Sequence, residues 1–243
     1  MPPKLFKSLG YVCVVTCASI GAMVYYSLTI IWPTMVGTLF TTDVMQIGWK
    51  SCVIGGGILL GQIIGGLYLA FGPKVKWMAI FASAAGAAFV ASLASASPDR
   101  ESAAIAQAIL GLLFIGIVEN ITFPGVTFLV EDQDIGVAAG VLGSIRGMAG
   151  AIAQALYVSI LTNKTTQYLT TFVPAAATGA GLSADAVPAV FEGITLGSFS
   201  AVPGITPEII AAVGAAVQRA YNNAFYWTFI AAIPFGKRLS VAS

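Results

Sequence analysis

The chain contains no histidine, and only 9% of its 243 residues are charged, against about 25% in ordinary soluble domains. Without histidine the common nucleophile–histidine triads and most zinc sites are excluded. The glycine-rich runs lack a following Lys-Ser or Lys-Thr, which removes the phosphate loop. No enzyme constellation remains, and no metal or cofactor is expected. Cysteine is scarce too: Cys13, Cys17 and Cys52 all lie in apolar stretches. They read as small apolar packing residues, not as a disulfide framework. The formal net charge is +1 and no long run of one sign occurs, so nothing points to nucleic acid or an acidic partner.

What is abundant is apolar surface. Apolar residues make up 58% of the chain, and the mean hydropathy is +0.90. A soluble protein of this size must clothe itself in polar side chains, whereas one solvated by lipid need not. Lys4 and Lys7 precede an apolar run from Leu9 to Ile31. A cleaved signal has an apolar core of about 7–15 residues, so this run is too long and reads as a retained span.

Five segments have the length and scarcity of charge needed to cross a bilayer: 9–31, 46–71, 77–97, 103–129 and 135–162. A sixth, 220–236, is cut short by Lys237 and Arg238. The expected architecture is all-α, a polytopic transmembrane bundle of about six helices occupying residues 1–243. Trp32-Pro33 is expected to end the first helix, with Trp32, Trp49 and Trp77 as interfacial anchors. Residues 163–219 are rich in Ala, Gly, Ser, Thr and Pro and read as a long extracellular loop with short helices, one from Pro207 to Gln218.

Alternating crossings place Lys4, Lys7, Lys74, Lys76, Lys237 and Arg238 on one side, which the excess of basic residues marks as cytoplasmic. Asn163-Lys164-Thr165 then falls outside, as a glycosylation acceptor should. Lys50, near the outer end of the second span, is expected to snorkel to the interface.

Two helices carry glycine stripes. In the second span Gly57, Gly61 and Gly65 recur every four residues; in the fifth, Gly136, Gly140, Gly143, Gly147 and Gly150 are spaced four, three, four, three. Such stripes let helix backbones approach closely in lipid. They also occupy the middle helices of two successive triplets, as an inverted repeat of a carrier would leave them.

Glu119 and Arg146 are the ionisable residues deepest in the expected spans. Each costs about 2.5–3.5 kcal/mol at a helix centre. Both lie about twelve residues from the Glu131–Asp134 link, which puts them at one depth, roughly 18 Å, on consecutive antiparallel helices. They read either as a structural ion pair or as a proton-accepting or substrate-contacting carboxylate with its charge partner. Asn120 and Gln154 are available for hydrogen bonds nearby or between helices, and Tyr25 and Tyr26 are candidate cavity residues.

Several elements, taken in order, resemble a known family. They include Trp32-Pro33, Gly48-Trp49, Gly55-Gly56-Gly57, Gly61-Gln62, Lys76-Trp77, Gly116 with Glu119, Asp134-Ile135-Gly136 and Gly143-Ser144-Ile145-Arg146. Further on come Tyr157, Ala180-Gly181-Leu182, Pro203-Gly204-Ile205-Thr206 and Ala220-Tyr221 with Phe225. In this the chain resembles the fungal trichothecene efflux pumps of the major facilitator superfamily and the related siderophore carriers. The resemblance implies the C-terminal half of a proton-coupled exporter of small organic toxins or drugs. The expected partners are the lipid bilayer, a small organic substrate, protons and an N-terminal six-helix half, and the expected location is the plasma membrane. Where family members continue an apolar helix, this chain turns after Phe235-Gly236 to Lys-Arg-Leu-Ser. The alternatives are therefore a siderophore-iron transporter, or a truncated membrane fragment that does not transport.

Overall fold

Ser8 caps the first helix, its hydroxyl accepting from the Tyr11 amide at 3.5 Å, and from there the backbone of the computed structural model is almost wholly helical. It describes residues 5–196, 199 and 202–242, with side chains as far as 231. The helices are α1 (Leu9–Met35), α2 (Val44–Phe71), α3 (Val75–Ser92), α4 (Glu101–Gly125), α5 (Ile135–Gly179), α6 (Val187–Leu196) and α7 (Pro207–Ala242). No strand occurs among the described residues. The chain is an all-α, multi-pass integral membrane bundle. Five of its helical segments are long and apolar enough to span: Leu9–Phe40, Val44–Phe71, Val75–Ser95, Pro98–Phe128 and Asp132–Gly179. The expected sixth span, 220–236, lies within α7, and the side chains of its second part fall outside the described residues.

α2 lies on α4, α3 on α4 and α7, α7 on α5, and α5 on α1, while α1 closes the ring by touching α4 and α7. α4 and α5, consecutive in the chain, scarcely touch except near their link. The α2–α4 contact is the closest. A Cβ on Gly61 would strike the carbonyl oxygen of Leu113, and one on Gly116 would strike that of Ile58. Added at Gly57 and Gly65 it would lie 3.1 Å and 2.9 Å from the Ile109 and Ile117 carbonyls. Away from that contact α2 exposes Leu59, Leu60, Ile63, Ile64 and Leu67, an apolar surface of the kind lipid can solvate.

Five expectations are corrected. Pro33 does not stop α1, which runs to Met35 and continues as a π-turn to Phe40. Membrane helices tolerate proline where side-chain hydroxyls or local changes of helical pitch accommodate the missing donor, and here the α-helix passes into the π-turn three residues after Pro33. Trp32 is not an interfacial anchor: it is fully buried, its indole N–H donating to the Lys50 carbonyl at 2.9 Å. Trp49 and Trp77 are well exposed.

Lys50 does not merely snorkel either, because it pairs with Glu101 at the start of α4. Residues 163–219 are not mainly loop. α5 runs on to Gly179, and the short helix from Pro207 merges with the sixth span into α7. At 1.5 Å per residue the 45 residues of α5 extend roughly 67 Å, over twice the ~30 Å of bilayer hydrocarbon. The extension has its own small core, where Val173 and Ala177 meet Leu182, Val190, Ile209 and Val213. Asn163-Lys164-Thr165 therefore sits inside a helix with Thr165 buried, a poor acceptor for a glycan.

Candidate functional site

The gap between α4 and α5 is backed by α1, and Glu119 and Arg146 meet across it. Glu119 is 3% exposed. One carboxylate oxygen, Oε1, accepts from the Arg146 guanidinium of α5. The other, Oε2, accepts from Gln62 Nε2 of α2 at 3.4 Å. Glu119 thereby links three helices, two of which make no substantial contact with each other. α1 lies beside it at Gly21, where an added Cβ would sit in ordinary contact, 4.0 Å from Glu119 Cγ.

Arg146 is held by aromatic faces as well as by charge. Its guanidinium carbon lies 5.1 Å from the centre of the Phe123 ring and 5.9 Å from that of Tyr26, both within cation–π range. Tyr26 keeps its place because Gly150, one turn beyond Arg146 on α5, has no side chain; any Cβ there would run into the ring. Gln154, one turn further, donates from Nε2 to the Tyr26 carbonyl at 3.1 Å. The Arg146 Nε is buried and has no hydrogen-bond partner among the described residues.

An isolated ionised carboxylate in this setting is costly, so the pair is what keeps both charges in place. The arrangement sets a buried carboxylate against a guanidinium that keeps its charge.

The expected site residues separate into groups. Glu119, Arg146, Tyr26 and Gln154 come together. Asn120 does not join the pair; its Nδ2 donates to the Gln62 backbone carbonyl, tying α4 to α2. Tyr25, its ring 5.3 Å from that of Tyr26, packs against the main apolar core.

Of the stripe glycines, Gly57, Gly61 and Gly65 pack on α4 and Gly150 receives Tyr26. Gly136, Gly140, Gly143 and Gly147 depart from the expected close packing: a Cβ on each would meet nothing within 4 Å. They are exposed along one face of α5.

Gln62 is the site residue the sequence reading passed over. It was legible by the rule that selected Asn120 and Gln154, a polar carboxamide inside a span. No group of three or more His, Cys, Asp or Glu that could hold a metal occurs among the described residues.

Comparison with known proteins bears on what this arrangement serves. A family model described as the fungal trichothecene efflux pump (TRI12) matches residues 1–243. The trichothecene efflux pump TRI12 of Fusarium sporotrichioides is 27% identical over 250 residues, covering 100% of this chain and 42% of that protein. The MFS-type transporter prx5 of Penicillium rubens is 28% identical over 222 residues, covering 88% of this chain and 40% of that protein. TRI12 of Trichoderma arundinaceum is 27% identical over 245 residues, covering 96% and 40%. The chain thus spans about two fifths of the length of these relatives. No solved structure matches it.

Proposed function

From the premise that this chain belongs to the fungal trichothecene efflux pump family, we propose that it forms the C-terminal six-helix part of a secondary active transporter that exports small organic toxins or drugs in exchange for protons. The observation that carries the reading is the Glu119–Arg146 pair, buried across a gap between two helices that otherwise hardly meet. A structural ion pair would be better placed at a helix contact. A carboxylate spanning a gap, held by one cation and one neutral amide, can exchange a proton as the gap opens and closes. We assign Glu119 as the proton-carrying group and Arg146 as its charge partner.

The exposed face with Gly136, Gly140, Gly143 and Gly147 supports a second element of the proposal, that an N-terminal half packs against α5. Lipid-facing surfaces elsewhere in the bundle carry Leu, Ile and Phe, whereas small residues suit close helix approach. The proposed setting is the plasma membrane, with Lys74 and Lys76 on the cytoplasmic side.

The test is proton-gradient-driven transport of a trichothecene into vesicles holding the full-length protein. Glu119→Gln should keep substrate binding and lose the response to the gradient, because a carboxamide packs similarly and cannot titrate. A gradient response unchanged in Glu119→Gln removes the coupling role.

A further inference from the structure

At the end of the bundle where α1 and α3 begin and α2 and α4 finish, the helices leave a cavity of about 440 Å³. Its inner wall is buried, made by Cys17 of α1, Ala79 of α3, and Val118, Ile121 and Thr122 of α4. Its rim is open, with Cys13, Leu69 and Val75 half-buried and Phe128 exposed. Along α4 the lining runs from Val118 to Phe128, about 15 Å at 1.5 Å per residue. That is one leaflet's share of the ~30 Å hydrocarbon core.

The walls suit hydrocarbon and little else. Thr122 has its one hydroxyl proton committed, shared between the carbonyls of Val118 and Glu119 at 2.9 and 3.0 Å. The thiols of Cys13 and Cys17 are weak hydrogen-bonding groups. We propose that the cavity takes one acyl chain of an anionic phospholipid, whose phosphate lies between Lys74 and Lys76.

Charge complementarity selects that occupant. Lys74 and Lys76 flank Val75 at the rim, both are exposed, and neither is ion-paired among the described residues. The link that carries them is braced: the Tyr68 hydroxyl donates to the Pro73 carbonyl, and the Gly72 amide to the Tyr68 carbonyl, each at 2.7 Å. Lys7, just before α1, adds a third exposed cation at this end. The acidic residues of the same end, Glu131, Asp132 and Asp134, belong to the α4–α5 link. They lie towards the other face of α1, where the Tyr11 hydroxyl donates to the Ala138 carbonyl of α5 at 2.9 Å.

Phe71 and Trp77, both well exposed beside the lysines, are the residues that settle at headgroup level. In the proposed orientation this is the cytoplasmic leaflet, where anionic lipids gather. The site stands apart from the ion pair: Val118 and Ile121 line the cavity, whereas the Glu119 carboxylate between them turns to Arg146. The proposal therefore does not rest on proton coupling.

Native mass spectrometry of the chain in detergent micelles, titrated with dioleoylphosphatidylglycerol or with dioleoylphosphatidylcholine, compares equal chains under an anionic and a neutral headgroup. The unchanged chain should retain one phosphatidylglycerol about tenfold more tightly, the order expected of two lysines beside a phosphate. Lys74→Gln combined with Lys76→Gln should remove the preference and leave phosphatidylcholine binding as it is. Ala79→Leu, which fills the inner wall, should weaken both lipids several-fold. Cys13→Phe fills the cavity from the α1 side and makes the same test if leucine at 79 disturbs the α3–α4 contact. In the unchanged chain, bound phosphatidylglycerol should slow the reaction of Cys13 with N-ethylmaleimide, read from the mass of its peptide.

Equal retention of the two lipids, or a preference that survives the double lysine change, overturns the proposal. So does phosphatidylglycerol binding undiminished in both Ala79→Leu and Cys13→Phe, or a Cys13 reaction rate that bound lipid leaves unchanged. Full displacement of the lipid by glycerol phosphate would show an anion site without an acyl chain and overturns it as well.

Discussion

Gly150 of α5 is the notch that receives the Tyr26 ring of α1, and that ring lies against the guanidinium of Arg146, one turn before the glycine. A missing side chain on one helix therefore sets where the buried cation sits on the same helix. Gly150→Ala should push Tyr26 aside and destabilise the bundle by about 1–3 kcal/mol, the usual cost of overpacking. Thermal unfolding in detergent measures this. A melting temperature equal to that of the unchanged chain would show that the ring moves freely.

The two glycine stripes should respond differently to bulk. Gly61 lies against the Leu113 carbonyl, whereas nothing stands within 4 Å of a Cβ on Gly143. Gly61→Leu should abolish folded yield in detergent, because backbone on both helices would have to part. Gly143→Leu should leave the yield of this chain unchanged and weaken its association with a co-expressed N-terminal half. Size-exclusion profiles of the two variants, alone and co-expressed, separate these outcomes. An equal loss of yield in the chain alone would contradict the open α5 face.

What the sequence made legible was whatever breaks an apolar pattern. Glu119 and Arg146 stood out as charges inside spans, and equal counting from the Glu131–Asp134 link brought them together. The first five long apolar helices were legible for the same reason, since long apolar runs have few other solutions. The extension of α5 to Gly179 was not, because Ala, Thr and Gly suit a loop as well as a helix. Alanine is the best helix former, and the deciding contacts, Val173 and Ala177 on Ile209 and Val213, are tertiary. Trp32 misled because indole serves interfaces and cores alike; its burial depends on the Lys50 carbonyl of another helix. Gln62 gained its meaning only from Glu119, 57 positions away.

Lys50 and Glu101 form the other ion pair among the described residues, with side chains 22% and 33% exposed. Partial solvation screens such a pair, so its net worth is about 0–1 kcal/mol. Lys50→Ala should lower the unfolding temperature in detergent slightly, and high salt should erase the difference. A loss of several kcal/mol would mean that the pair is more desolvated than its exposure indicates.

The proposed orientation of the bundle rests on its lysines and arginines. In a variant lacking the native cysteines, a cysteine at Lys74 should react with an impermeant maleimide only after the cells are permeabilised. One at Ser183, between α5 and α6, should react in intact cells. The reverse pattern would invert the whole bundle, since both positions are fixed to the same set of helices.

The ion pair itself admits a double-mutant cycle. Glu119 is almost fully buried and its strongest partner is Arg146. Glu119→Gln strands the guanidinium between Tyr26 and Phe123, and Arg146→Gln strands a carboxylate in low dielectric with only the distant Gln62 amide. Removing one member of a buried pair costs about 3–5 kcal/mol, whereas neutralising both removes the two desolvation penalties together. The double variant should therefore lose less than the sum of the singles, with a coupling of about 0.5–3 kcal/mol. Equilibrium unfolding of the four proteins in mixed detergent gives the numbers. Additive losses would mean that the two side chains do not act on each other, and the proposed exchange of protons across the α4–α5 gap would lose its physical basis.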